Sequence, residues 1–397
     1  MQGWAARVAL ALLASCGGES REPARSPSPA PVVAPAVPPA AAPPAQPVGQ
    51  ATEPETQPSA APEPEPAPAP APEPLPVTAK LARGTSSPAD TALAAGDTAY
   101  DADDFTTAEA KYREAAALAP KDAAAIVGLA RVAIAKTKVA TDFNSAPKNP
   151  VLERAANDLR RAIRLDPHFA PAQLELGRAL LMLGSAEPAL GALRKAIELS
   201  PRDPEAHSGL GVALLATGHP DEALGELARA SELDPGSAAR KTNLGTAFFM
   251  RGRVQDAVRA YEAAAQLKPD DPRTLGDLGT ALLADNQLAR AVAVLKRAVS
   301  LDPNRATLHS NLGYALEQAR DLNGAVAEFR EAIRLDEKLV SAWINLATAL
   351  VQQGDRVEAR KALERAQKID PTDPRVRANM EELRELEKKQ PAAAGHR

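Results

Sequence analysis

The chain has 397 residues, 45% hydrophobic but only 3% aromatic, and a formal net charge of −4. That mild, mixed charge excludes the clustered basic face of a nucleic-acid platform, so no nucleic-acid partner is expected. A single cysteine excludes a disulfide framework and a cysteine-based zinc site. The core must be built from Leu, Ala and Val.

The first sixteen residues carry one basic residue, Arg7, followed by an apolar run over 8–14. That run is too short to span a bilayer but suits the apolar region of an export signal. The stretch Leu13-Ala14-Ser15-Cys16 resembles a bacterial lipoprotein signal. The resemblance implies a signal peptide over 1–16, a lipid on Cys16 and attachment to a membrane through it. Gly17 follows the cysteine, which implies sorting to the outer membrane, facing the periplasm. An ordinary cleaved signal or a chance apolar start are the alternatives.

Residues 17–88 read as a disordered linker rich in Pro, Ala and Glu. Repeated proline removes backbone donors and fixes φ, and too few large apolar groups remain to offset ordering entropy. Extended as polyproline II, such a stretch reaches at most roughly 220 Å. It reads as a stalk.

From residue 89 the pattern changes to paired short helices. In 204–237, Leu210, Ala213 and Leu214 share one helical face. Gly218 ends that helix, because the left-handed conformation of a helix end suits glycine. Pro220 opens a second helix, with Ala223, Leu227 and Ala230 on one face, and Asp234-Pro235 closes it. The unit then recurs. Leu-Gly stands at Leu176-Gly177, Leu210-Gly211, Leu244-Gly245, Leu278-Gly279 and Leu312-Gly313, then as Leu346-Ala347. Ala189, Ala223, Ala257, Ala291, Ala325 and Ala359 keep the same step, as do Pro167, Pro201, Pro235, Pro269, Pro303 and Pro371, with Glu337 in the one open slot. The small residues suggest that two helix backbones approach closely there.

A 34-residue helix–turn–helix period with these Leu-Gly, Ala and Pro positions resembles the tetratricopeptide repeat family. The family's aromatic positions are mostly Leu or Ala here, with Phe248, Tyr261, Phe329 and Trp343 as exceptions. The resemblance implies an all-α, right-handed superhelical solenoid whose first helices line a concave wall. Eight repeats fill 89–373: 89–122, 123–169, 170–203, 204–237, 238–271, 272–305, 306–339 and 340–373. The second is lengthened by a loop inserted at 138–150. A capping helix is expected over 374–389 and a disordered tail over 390–397.

The sequence carries few chemical motifs. His207 and His309 occupy one register position three units apart, too far to share a metal. No phosphate loop, zinc-binding helix motif or nucleophile elbow is present. No catalytic residue, metal or cofactor is expected. What the family resemblance offers is the wall. One position reads Asn243, Asp277, Asn311 and Asn345, and three residues on stand Thr246, Thr280, Tyr314 and Thr348. An amide both donates and accepts, so a row of them could grip the backbone of an extended peptide. This resembles the asparagine ladder of some superhelical members. The N-terminal wall differs, with Asp90, Asp97, Asp101, Arg131 and Arg178, and suits a charged ligand segment. The expectation is a non-catalytic protein- or peptide-binding scaffold, lipid-anchored in the bacterial envelope. It resembles repeat lipoproteins that act as pilotins or envelope adaptors. A self-associating scaffold, or the regulatory subunit of a separate enzyme such as a glycosyltransferase, are the alternatives.

Overall fold

A computed structural model describes residues 80–139 and 143–389. The signal region with Cys16, the linker up to residue 79 and the tail from 390 lie outside the described residues.

Seventeen helices, and no strand, occur among the described residues. Repeat 1 pairs α1 (Pro88–Asp101) with α2 (Phe105–Leu118), and repeat 2 pairs α3 (Ala123–Lys136) with α4 (Pro150–Leu165). Then come α5 (Ala170–Met182) with α6 (Ala186–Leu199), and α7 (Pro204–Ala216) with α8 (Pro220–Leu233). Repeats 5 and 6 pair α9 (Ala238–Met250) with α10 (Val254–Leu267), and α11 (Pro272–Ala284) with α12 (Leu288–Leu301). Repeats 7 and 8 pair α13 (Ala306–Gln318) with α14 (Leu322–Leu335), and α15 (Val340–Gln353) with α16 (Arg356–Ile369). The last helix, α17 (Pro374–Lys389), packs on repeat 8 through Val376, Met380 and Leu383, all buried. Each helix packs on its partner and on the next in sequence, and the first helices of neighbouring repeats also touch one another. The first helices therefore form the tighter, inner side of the array.

Local chemistry sets the unit. Asp203 and Asp271 cap α7 and α11 by accepting the backbone N–H groups two and three residues on. The turn inside each repeat needs one left-handed residue, at Gly184, Gly218, Gly252, Asn286, Arg320 and Gly354, again 34 apart. The Leu-Gly glycine works differently from its reading above. What approaches it is a side chain of the second helix, not a backbone. A Cβ at Gly211 would stand 2.4 Å from Leu227 Cγ, and one at Gly245 2.8 Å from Tyr261 Cε1. A fully buried Leu or Tyr of the second helix is thus seated on a missing methyl.

Two large apolar clusters run through the array, with a small third one of Leu275, Ala298 and Leu308 beside the second. The first extends from Leu81 to Ala223, the second from Phe249 to Leu383. Between them, where repeats 4 and 5 meet, Leu227, Ala230, Ala238 and Ala247 are buried, and polar bridges are added to that packing. Arg240 pairs with Glu205 at 3.0 Å and with Asp234 at 2.9 Å, and Arg251 pairs with Asp221 at 2.7 Å.

Two segments depart from expectation. Ordered structure begins before residue 88: the segment 80–87, assigned above to the linker, packs on the fold, and Leu81 is fully buried. The insert at 138–150 is not a bare surface loop. Asn144 and Ala146 donate their N–H groups to the carbonyls of Leu181 and Met182, at 2.8 and 3.0 Å, at the end of α5. Among the described residues no helix is long and apolar enough to cross a membrane.

Candidate functional site

The inner wall is lined by the first helices, and one register position traces it. Asp97 holds that position in repeat 1, Arg131 and Arg178 in repeats 2 and 3, and Thr246, Thr280, Tyr314 and Thr348 in repeats 5–8.

In the N-terminal half the wall charges are consumed internally. Arg131 is 2% exposed, and its Nε lies 3.0 Å from Glu175 Oε1. Arg178 reaches both Glu175 and Glu205, and Arg240 closes the chain on Glu205. Burial pushes the Glu205 carboxyl up, but Arg178 and Arg240 outweigh it and leave the group below its ordinary range. Asp90, Asp97 and Asp101 do hold a charged segment, and it is the chain's own. Asp97 Oδ2 accepts the N–H groups of Leu81 and Ala82 at 2.7 and 3.0 Å, and Asp90 Oδ1 accepts that of Arg83 at 2.6 Å. Lys80 pairs with Asp101 at 2.6 Å. The other oxygen of Asp97 accepts from the Tyr112 hydroxyl, whose ionisation burial and that carboxylate push up.

In the C-terminal half the wall is mostly uncharged, and its polar groups are partly engaged. Asn243 Nδ2 donates to Ser208 Oγ at 3.2 Å and Asn311 Nδ2 to Thr280 Oγ1 at 3.3 Å, each reaching back to the preceding repeat. Thr246, Thr280 and Thr348 donate to carbonyls one turn back in their own helices, those of Thr242, Gly276 and Ile344. The Asn345 side chain has no hydrogen-bond partner among the described residues and is half-buried. Asp277 and Tyr314, also half-buried, are both engaged with a partner. The eight expected wall residues thus share one face in four successive repeats, with their donors and acceptors at regular intervals. Glu317, buried on the same face, is pushed up by burial, and Gln352 and Arg320 offset only some of that.

The two register histidines serve structure. His207 lies between Glu226 (2.6 Å) and the Pro201 carbonyl (2.9 Å), and His309 between Glu328 (2.7 Å) and the Pro303 carbonyl (3.0 Å). Trp343, at the same position in repeat 8, donates its indole N–H to the Glu337 carbonyl at 2.9 Å. In all three, a ring nitrogen ties a first helix to the turn six residues before it.

The residues that sequence reasoning missed are Lys80, Leu81 and Arg83. A signal existed: between Arg25 and Lys80 the sequence contains no basic residue, so the change of composition falls at 80 and not at 89.

An uninterrupted row of helix pairs with buried glycine–side-chain contacts and an inner wall defines a helical-repeat scaffold. Its units are tetratricopeptide repeats: models of that repeat match residues 93–140 and 316–383. The model of the cilia and flagella-associated protein 70 C-terminal domain matches residues 150–340. Among solved structures the fold is similar to that in the APC/C hetero-tetramer Cut9–Hcn1, with a TM-score of 0.57 and 17% identity over 76% of this chain. The match spans 57% of that chain's length. PilF of Pseudomonas aeruginosa aligns at a TM-score of 0.48 and 22% identity, over 56% of this chain and 98% of that one. YrrB, described as a TPR protein with an unusual peptide-binding site, aligns at 0.39 and 23% identity, over 48% of this chain and 99% of that one. No curated protein matches the sequence.

Proposed function

We propose that the chain is a non-catalytic scaffold that holds an extended protein segment on the inner wall of repeats 5–8. The observation that carries this is the row Asn243, Asp277, Asn311 and Asn345, one per repeat on one face. Groups so spaced suit the evenly spaced N–H and C=O groups of an extended backbone. A panned random-peptide library tests it. Enriched peptides should lose one to three decades of affinity when Asn243, Asn311 and Asn345 are all changed to Ala. Three net hydrogen bonds are worth roughly 1.5–4.5 kcal/mol in total. Peptides that bind the triple variant as well as the wild type overturn the reading. Because Asn243 and Asn311 also bond across repeats, the variant's melting temperature must be measured alongside.

We further propose that the protein works in a bacterial envelope as an assembly factor or adaptor, held by lipid on Cys16 at an outer membrane and facing the periplasm. The support is the sequence Leu13-Ala14-Ser15-Cys16 and the position of the chain's single cysteine. Firm attachment needs more than one acyl chain. Mass spectrometry of the mature N-terminus should find a multiply acylated Cys16, and Cys16→Ala should leave the membrane fraction. An unmodified cysteine rules the anchor out.

A further inference from the structure

The segment 80–83 lies on the wall as a ligand would. It runs antiparallel to α1, with Lys80 opposite Asp101 and Arg83 opposite Asp90. Three consecutive backbone N–H groups are accepted by Asp97 and Asp90, both buried, so the grip on the main chain is independent of side-chain identity. Side chains add a pattern. Leu81 is fully buried in the first core. Arg83 pairs with Asp122 and Asp166, each at 3.1 Å, and stacks on the Phe169 ring at 5.0 Å. Asp122 and Phe169 stand at the starts of repeats 2 and 3. Arg83 therefore points along the array, so the segment does not merely cover the open end of α1. It also uses Asp97, the repeat-1 member of the row that carries Thr246, Thr280, Tyr314 and Thr348 further on.

We propose that the inner face of repeats 1–3 is a binding site for an extended protein segment of the pattern basic–apolar–small–basic, and that residues 80–83 fill it in cis as an exchangeable latch. The site is separate from the wall of repeats 5–8 and does not depend on the reading given to that wall. Only Leu81 of the latch is buried, while residues 83–88 are exposed. A segment with so little burial opens locally, more often than the helix beneath it. Its tether makes the cis competitor effective at millimolar concentration, so a free peptide competes poorly until the latch is displaced.

The test uses the full chain with Leu81→Asp and Arg83→Glu, and a fluorescein-labelled peptide VTAKLARGTS, the sequence of residues 77–86. Fluorescence anisotropy should show the peptide binding the double variant at least tenfold more tightly than the wild type. A peptide with Asp in place of its leucine should not bind. Absence of binding to a double variant whose circular dichroism and melting match the wild type overturns the proposal. Should the double variant fail to fold, hydrogen exchange on the wild type decides. The amides of Leu81, Ala82 and Arg83 should exchange at least tenfold faster than those of Leu93 and Gly96. Equal protection would mean that the segment opens only when repeat 1 unfolds, and would overturn it too.

Discussion

Gly279 shows how much one absent methyl group governs here. A Cβ on it would stand 2.4 Å from Leu295 Cγ, closer than any real contact allows. Gly279→Ala should therefore destabilise the protein by about 1–3 kcal/mol through overpacking. With Leu295→Ala already present the obstruction is gone. The same change should then stabilise by up to about 1 kcal/mol, the helix-propensity difference between the two residues. Urea titrations of the four proteins in this cycle measure the sign change. If Gly279→Ala destabilises equally in both backgrounds, the seat on Leu295 is not its role. The sequence shows a glycine at this position every 34 residues. It does not show what the glycine faces, since the side chain seated on it lies sixteen residues on, in another helix. In repeat 8, Ala347 stands there with its methyl group accommodated, both it and Leu363 being buried.

The helix pair is the element that repeats, and its inner turn has a backbone requirement of its own. Gly218 sits at φ +82° with nothing within 4 Å of where a Cβ would be. Gly218→Ala should cost about 1–2 kcal/mol with no steric cause other than the left-handed backbone itself. Thermal melts check this, and hydrogen exchange should rise mainly in α7 and α8, because each repeat contacts only its neighbours. Loss of protection spread evenly from α1 to α17 would contradict a one-dimensional array. The helix pairs and the cap α17 were legible in the sequence because they rest on local periodicity and on turn residues. The latch was not. Its four residues have no period, and its partner carboxylates are 7 to 83 residues away in the sequence. Likewise Asn243 and Asn311 could be placed on the wall from register alone. Their bonds to Ser208 and Thr280 depend on how adjacent repeats are set against each other, which no single repeat encodes.

At the scale of the whole molecule, the ion pairs where repeats 4 and 5 meet should govern how the array comes apart. Arg240 is buried and bridges Glu205 and Asp234 across the junction of repeats 4 and 5. Arg240→Gln removes both pairs, and high salt screens what remains. Trp343 packs against the second core, so its fluorescence reports the C-terminal half, while far-ultraviolet circular dichroism reports every helix. In the variant at high salt the two signals should give separate urea transitions. Coincident curves would mean that the junction couples the halves by packing alone. Acid acts on the same place. The Glu205 carboxyl is lowered in the fold, so its contribution is complete above the ordinary glutamate value of about 4.3 and fades as pH falls through the lowered one. Amide protection in α7 and α9 near Glu205 and Arg240 should therefore fall on acidification in the wild type, and already be low at neutral pH in Arg240→Gln.

The latch also decides how the array meets a pull. Tension applied to Lys80 along the axis of α1 loads the row of attachments at Asp101, Asp97 and Asp90 in parallel. Bonds loaded this way share the force and must give way together, whereas bonds loaded crosswise would break singly, each in its turn. Under a load in that direction the segment 80–83 is a shear joint. In a single-molecule stretching experiment it should yield at a higher force than the same protein pulled from the exposed turn at Thr85.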